Sequence, residues 1–348
     1  MERRDFILGE EVRKLETMLA EYVGRKYAIA VSSGTAAQFL IMRGLGIGPG
    51  DVVAVPDFTF LSTATTVLMT GATPLFIEVD PDTFTMSAAH LLLEISKQPE
   101  GAVKAIVPVD LFGVIYDEYS INQISDKFGI PVIEDGCHSL GSTLEHKEAL
   151  SFGDYAFTSF YPTKPLGAFG DGGMVFCDDV EMSDAVRSLR NHCLRGDNYA
   201  YVMGYNFRMD TMTAAILLEK FTDFEESVNI RKHVAHKYRE YLDKDAYAFQ
   251  LSPGFSNWAV FSILCNCVSR DFVQQALTRA GYPSEIYYPQ PLHELEMFVI
   301  DVDEDFRTDV TQELCNRILQ IPLNPYMSER ETNNIIGVLN NVEEDARS

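Results

Sequence analysis

One lysine stands out for its surroundings: Lys164 lies in the run Ser159-Phe-Tyr-Pro-Thr-Lys-Pro-Leu-Gly-Ala168, just ahead of Gly170-Asp-Gly-Gly173. Pro162 and Pro165 forbid a helix there and stiffen the loop. A lysine confined in this way loses solvation, which lowers its pKa and makes the amine a nucleophile toward an aldehyde. The ordinary alternative is a solvated loop lysine beside a turn. A second run, Pro131-Val-Ile-Glu-Asp-Gly-Cys-His-Ser139, is an apolar strand that ends in acid. It would set Asp135 at the ligand-binding edge of a sheet, where a carboxylate can keep a ring nitrogen protonated, or merely cap a helix. A third, Ser32-Ser-Gly-Thr-Ala36, runs from a strand into a helix start. Gly34 permits close approach, and the free amides and dipole favour an anion, although the same pattern serves a helix with no ligand. Pro56-Asp-Phe-Thr-Phe60 adds a ring that could stack on a flat ligand or belong to the core.

These residues need a scaffold that brings them to one edge. The first 180 residues alternate β-rich and helical runs. Strands are expected at Ala28–Val31, Val52–Val55, Pro74–Val79, Val103–Val109, Ile130–Glu134, Tyr155–Phe160 and Gly173–Cys177. Helices are expected at Thr35–Leu45, Leu61–Thr70, from a Ser87 cap to Lys97, and at Glu118–Phe128. This is an α/β pattern, a mostly parallel sheet covered by helices on both faces. Ligands bind such sheets at the carboxyl ends of the strands, where the runs above all end. A helical stretch from Asp210 to Leu242 follows, then a strand at Ala259–Cys265 and helices at Phe272–Ala280 and Glu329–Leu339. The expected division is a large domain over residues 1–230 and a smaller α+β domain over 231–348.

Lys and Arg total 28 against 51 Asp and Glu, a net charge of −23. That argues against non-specific binding to nucleic acid or to an anionic membrane. No apolar run approaches the roughly 20 residues of a membrane span. The charged start of the chain lacks a signal-peptide core, so a cytoplasmic location is expected. Six cysteines are scattered without metal-ligand spacing, and free thiols are expected. Phosphate binding on so acidic a chain would call for a local pocket of amides and basic groups.

Taken in order, the segments VSSGTAAQ, GIGPGDVVAVPDFTF, GATPLFIEVD, IVPVDLFG, VIEDGCHSLGS, FGDYAFTSFYPTKPLGAFGDGG, GYNFRMDTMTAAI, YYPQPLH and IPLNPYMSE resemble the DegT/DnrJ/StrS sugar aminotransferases over the whole chain. The resemblance implies the pyridoxal-phosphate transferase fold type I, with a seven-stranded sheet between helices, and pyridoxal 5'-phosphate as cofactor. It implies that Lys164 carries the cofactor as a Schiff base and moves the proton, and that Asp135 pairs with the pyridine nitrogen. Phe60 would stack on the ring, and His138 would lie near the phenolic oxygen. Gly34, Thr35, the Ala36 amide and Ser159 would hold the phosphate. Asn206, in GYNFR, would reach the cofactor phosphate of a neighbouring subunit, so that a homodimer shares its active sites.

The implied reaction is a ping-pong transfer from L-glutamate to a nucleotide-linked keto-sugar. The commonest acceptor type in the family is a nucleoside-diphosphate 4-keto-6-deoxyhexose, followed by a 3-keto hexose or a cyclitol. Relatives that act as sugar 3-dehydratases replace the lysine with His, so Lys164 favours transamination. The alternatives are a regulatory homologue that binds the cofactor without turnover, or another pyridoxal reaction such as elimination. Arg190, His192, Arg195 and Arg208 could meet a nucleotide diphosphate or serve as surface cations. Two positions depart from the pattern: Asp110 stands where members more often have His, and the N-terminal segment lacks the usual Gly-Pro entry.

Overall fold

The computed structural model describes residues 5–194, 202–298 and 306–347. Strands β1 (Tyr27–Val31), β2 (Val52–Pro56), β3 (Thr73–Ile77), β4 (Val103–Ile106) and β5 (Ile133–Asp135) alternate with helices. A two-residue hairpin, β6 (Thr143–Leu144) and β7 (Lys147–Glu148), precedes β8 (Tyr155–Ser159) and β9 (Gly173–Cys177). Hydrogen-bonded ladders run β3-β2-β4 and β5-β8-β9-β1. Parallel bridges Ile106 to Val132 and Val109 to Asp135 join them into a seven-stranded sheet ordered β3-β2-β4-β5-β8-β9-β1. Only β9 runs against the rest.

The helices of this half are α1 (Glu10–Val23), α2 (Gly34–Gly44), α3 (Ser62–Thr70), α4 (Ala88–Lys97), α5 (Glu118–Phe128), α6 (Val180–Leu189) and α7 (Thr211–Phe221). Strand alternation divides them between the faces. On β1, Ile29 and Val31 join a core with Leu40 and Ile41 of α2 and Val186 of α6. Ala28 and Ala30 face the other way, toward Leu15 and Leu19 of α1 and Leu217 of α7. Both faces are therefore dry, which is why these strands read as continuous apolar runs.

The expected helix across 210–242 is two helices, α7 and α8 (Phe224–Tyr241), broken at Thr222-Asp223. Thr and Asp are poor interior helix residues and good terminal ones. Helix α8 serves two cores. Phe224 and Val228 pack with α1 and α7, whereas Val234, Ala235 and Tyr238 pack on a second sheet. This places the proposed division of the chain inside α8 rather than in a linker. The second sheet is antiparallel, β10 (Tyr247–Phe249), β11 (Phe261–Cys265) and β12 (Ile318–Ile321) with β11 central. It is covered by α9 (Arg270–Arg279) and α11 (Glu329–Arg347), while α10 (Asp309–Arg317) leads into β12.

Two carboxylates from the large sheet's edge grip this second unit. Asp57, just past β2, is fully buried. It accepts hydrogen bonds from the His293 amide at 2.8 Å and from the Thr308 hydroxyl at 2.5 Å, and it pairs with His293 Nδ1 at 2.6 Å. Glu78, just past β3, caps α10, accepting from the Val310 and Thr311 amides at 2.9 Å each.

Candidate active site

The functional groups follow the ends of β1, β2, β5 and β8. Beyond β1, Ser33 caps α2, its hydroxyl accepting from the Ala36 amide at 3.1 Å. Gly34 follows at a three-way junction: a Cβ there would sit 2.9 Å from Ser159 Cβ and 3.1 Å from Cys137 Sγ. Any side chain would push apart the ends of β1, β5 and β8 and fill the space before the helix terminus.

Asp135 ends β5 and is buried. Its carboxylate accepts from the Cys137 amide at 3.1 Å and the Thr63 hydroxyl at 3.2 Å. Burial raises its pKa, against the pull of those hydrogen bonds and of the Lys164 charge. Lys164 lies in the loop between β8 and β9, its amide bonded to the Tyr161 carbonyl at 2.8 Å. Burial lowers its amine pKa, and Cys137 and Asp135 only partly oppose this. An amine shifted toward its neutral, nucleophilic form thus shares a pocket with a carboxyl whose own pKa is raised by burial.

His138 stacks on Phe112, with ring centroids 5.9 Å apart. Its Nδ1 accepts the Phe112 amide hydrogen at 3.3 Å. Burial, then the Lys164 charge, holds its pKa well below the usual value. The ring is therefore neutral, with its proton on Nε2. Phe60 is 52% exposed on the wall of the cavity, with Tyr288 6.4 Å away.

Gly34, Thr35, Phe60, Asp135, His138, Ser159 and Lys164 all line one cavity of about 1090 Å³. Two expected residues do not. The Ala36 amide is engaged by Ser33, and Ala36 is absent from the wall. Asn206 is exposed outside the cavity, where its side-chain oxygen accepts from Arg208 at 3.0 Å. Of the candidate diphosphate cations, Arg190, His192 and Arg208 are not in the wall either. Arg190 is buried against Glu16 at 2.8 Å, and Arg208 also bonds Asn191 at 3.0 Å. His192 is exposed, and Arg195 lies outside the described residues. Asp110 is structural: it accepts from the Ser139 hydroxyl at 2.6 Å and the Tyr116 amide at 3.1 Å, tying the end of β4 to the Asp135–Ser139 turn. Burial and the neighbouring Glu134 carboxylate push its pKa well up.

Sequence reasoning missed Thr63, Cys137 and Tyr288, and it missed the opposite wall altogether. That wall comes from α7 and α8 (Lys220, Ser227, Arg231), from residues 259–261, and from residues 320–326. Its only sequence signals are the YYPQPLH and IPLNPYMSE runs, and nothing marks Arg231.

Comparison with known proteins covers the whole chain. The model of the DegT/DnrJ/EryC1/StrS aminotransferase family matches residues 1–340. The UDP-2-acetamido-2-deoxy-3-oxo-D-glucuronate aminotransferase of Pseudomonas aeruginosa is 37% identical, covering 97% of this chain and 92% of the relative. The UDP-N-acetyl-3-dehydro-alpha-D-glucosamine 3-aminotransferase of Acidithiobacillus ferrooxidans is 38% identical, covering 96% and 89%. Among solved structures, NtdA from Bacillus subtilis with bound cofactor PMP superposes with a TM-score of 0.90 at 26% identity, covering 99% of this chain and 79% of that one.

Proposed function

The chain belongs to the DegT/DnrJ/EryC1/StrS aminotransferase family, and on that premise we propose that it binds pyridoxal 5'-phosphate and aminates a nucleotide-linked 3-keto hexose, with L-glutamate as donor. The observation that carries this reading is the placement of Lys164 and Asp135 in one cavity, the amine shifted toward its neutral form and the carboxyl's own pKa raised by burial. A UDP-linked acceptor with its ketone at C3 is preferred to the 4-keto-6-deoxyhexose expected from family frequency. Both relatives compared above act, by their names, on a UDP sugar with a 3-oxo or 3-dehydro group.

The residues present fit the cofactor. The buried Asp135 carboxylate has only neutral donors and Lys164 about it and would accept a protonated ring nitrogen. The junction at Gly34 keeps a helix terminus open to the cavity, where a phosphate is favoured. Bound there, pyridoxal phosphate would supply an electron sink for the substrate carbanion. This chain's own groups do the rest. The Lys164 amine would take the proton from the donor's carbon and deliver it to the cofactor carbon on the other side of the same nitrogen, and would move a proton in the reverse direction for the acceptor sugar. Neutral His138 offers its Nε2 hydrogen to an oxygen anion in the cavity. Phe60 covers one face of a flat ligand. Asn206, exposed and outside the wall of this cavity, fits a role in a neighbouring subunit's site, and a homodimer is part of the proposal.

The test is the absorbance of the protein loaded with pyridoxal phosphate, before and after L-glutamate, followed by product analysis with UDP-linked 3-keto and 4-keto sugars. Bleaching and an amine at C3 are expected. A spectrum indifferent to every amino donor would overturn the reading, and amination only at C4 would overturn its substrate half.

A further inference from the structure

The wall facing Lys164 and Asp135 contains buried donors with nothing to bond. Arg231 on α8 is 6% exposed and lines the cavity. Its Nη1 reaches the carbonyl oxygens of Trp258 at 3.5 Å and Ala259 at 3.4 Å, both at the limit of a hydrogen bond. Its Nε has no partner. No carboxylate among the described residues pairs with it. Burial lowers its pKa to about 10, opposed only by the Tyr326 phenol. Gln320 on β12 is also 6% exposed and lines the same cavity. Its main chain is satisfied by Glu285 on one side and pairs with Ser262 on the other, yet its side-chain nitrogen is unpaired. Buried donors without partners are rare in folded proteins, and a buried guanidinium without a counter-ion is strongly unfavourable. Two in the wall of one cavity point to a ligand that completes them.

We propose that Arg231 and Gln320 form an anion subsite that takes a carboxylate group of a substrate. The planar guanidinium fork matches the two oxygens of a carboxylate, and the amide of Gln320 supplies a further neutral donor. One buried positive charge balances one carboxylate. A diphosphate would leave uncompensated negative charge in a chain whose net charge is already −23. Lys220, the other cation of this side, donates to the Gly167 carbonyl. The inference rests on reading the cavity as an aminotransferase site. It adds what that site recognises: a carboxylate of the amino-acid donor, or one on a uronic-acid acceptor.

The experiment uses Arg231→Gln and Gln320→Leu in the full chain. Three constants are measured: the apparent Kd for L-glutamate from cofactor absorbance, and KM for a UDP-linked 3-keto uronate and for the UDP-linked 3-keto hexose that lacks the sugar carboxylate. Arg231→Gln is expected to weaken at least one of the two carboxylate-bearing substrates by about tenfold or more, leaving the carboxylate-free sugar and the cofactor absorbance as in wild type. Which constant moves identifies the source of the carboxylate. Wild-type constants for both carboxylate-bearing substrates would overturn the subsite. If Arg231→Gln does not fold, Gln320→Leu gives the reading, with a smaller shift in the same constant expected and no shift contradicting it. If the wild-type protein proves indifferent to amino donors, calorimetry of the cofactor-free protein with succinate still decides. Binding abolished by the Arg231 change supports the subsite, and equal or absent binding in both proteins overturns it.

Discussion

The two walls of the cavity are built on opposite principles. On the side of Lys164, the polar groups around that amine already have protein partners: Asp135 has the Cys137 amide and Thr63, His138 the Phe112 amide, and the helix start Ser33. On the far side, Arg231 and Gln320 are buried with donors to spare. A wall that keeps one resident group gains from preorganisation, because its groups need not move when charge develops. On the proposed function, the far wall would accept two different substrates in turn and leave its donors for whichever is present. The difference teaches that bond satisfaction, as much as residue type, distinguishes a fixed site from an exchanging one.

Substitutions on the wall with Lys164 break this comparison most severely. Lys164→Ala should lower kcat by about 10³-fold or more, the scale of a lost general acid–base group, while the fold survives; a rate assay beside a thermal melt checks both. Asp135→Asn should cost about 10²-fold in kcat. It should also stabilise the cofactor-free protein at neutral pH. The Asp135 pKa is raised by burial, so the folded chain holds that proton more tightly than the unfolded one. Stability then falls as pH rises from about 3.9 through the folded value, and Asn escapes this penalty. A melt of Asp135→Asn below that of wild type at pH 7 would contradict the assignment.

A third substitution acts between the walls. His293→Leu strands the buried Asp57 carboxylate, at a cost of about 3 kcal/mol, and frees the segment that carries Tyr288. Burial pulls the His293 pKa down, but the hydrogen bond and charge of Asp57 more than offset it, and the net shift is upward. The charged pair is thus fully present below the unfolded value of about 6.5 and is lost as pH rises through the folded pKa. Melts across that window should show the advantage of wild type over His293→Leu shrinking with pH. The smallest effect is expected for Ser33→Ala, about 1 kcal/mol for a lost helix cap. It should be read by denaturant unfolding, with turnover nearly unchanged.

How much was legible in the sequence follows the same division. The wall with Lys164 is assembled from short turns that immediately follow strands, so Gly34, Asp135 and Lys164 stand in local runs that the sequence singles out, while each run alone keeps its ordinary alternative and the roles come from the family resemblance. Helices Glu118–Phe128 and strand Gly173–Cys177 fall where the apolar pattern puts them. The far wall brings together α8, residues 259–261 and β12 by tertiary packing, and no local pattern links Arg231 to Gln320. Helix α1 and strand β12 went unread. The first is an amphipathic helix near the start of the chain; the second is four residues long and defined by its pairing with β11. The break at Thr222-Asp223 escaped because periodicity continues through it, yet that break lets Lys220 and Arg231 face one cavity. Asp110 was visible as a departure from the family pattern, but its purpose was not, because its partner Ser139 lies on another strand's turn.

The central claim is that Lys164 is the residue that holds the cofactor. The most direct measurement is to treat the protein with pyridoxal phosphate and borohydride, then map the covalently fixed cofactor by peptide mass. The account predicts the added mass on the peptide containing Lys164, and its loss in Lys164→Ala. Labelling of another lysine in its place, or labelling that Lys164→Ala leaves undiminished, would contradict it.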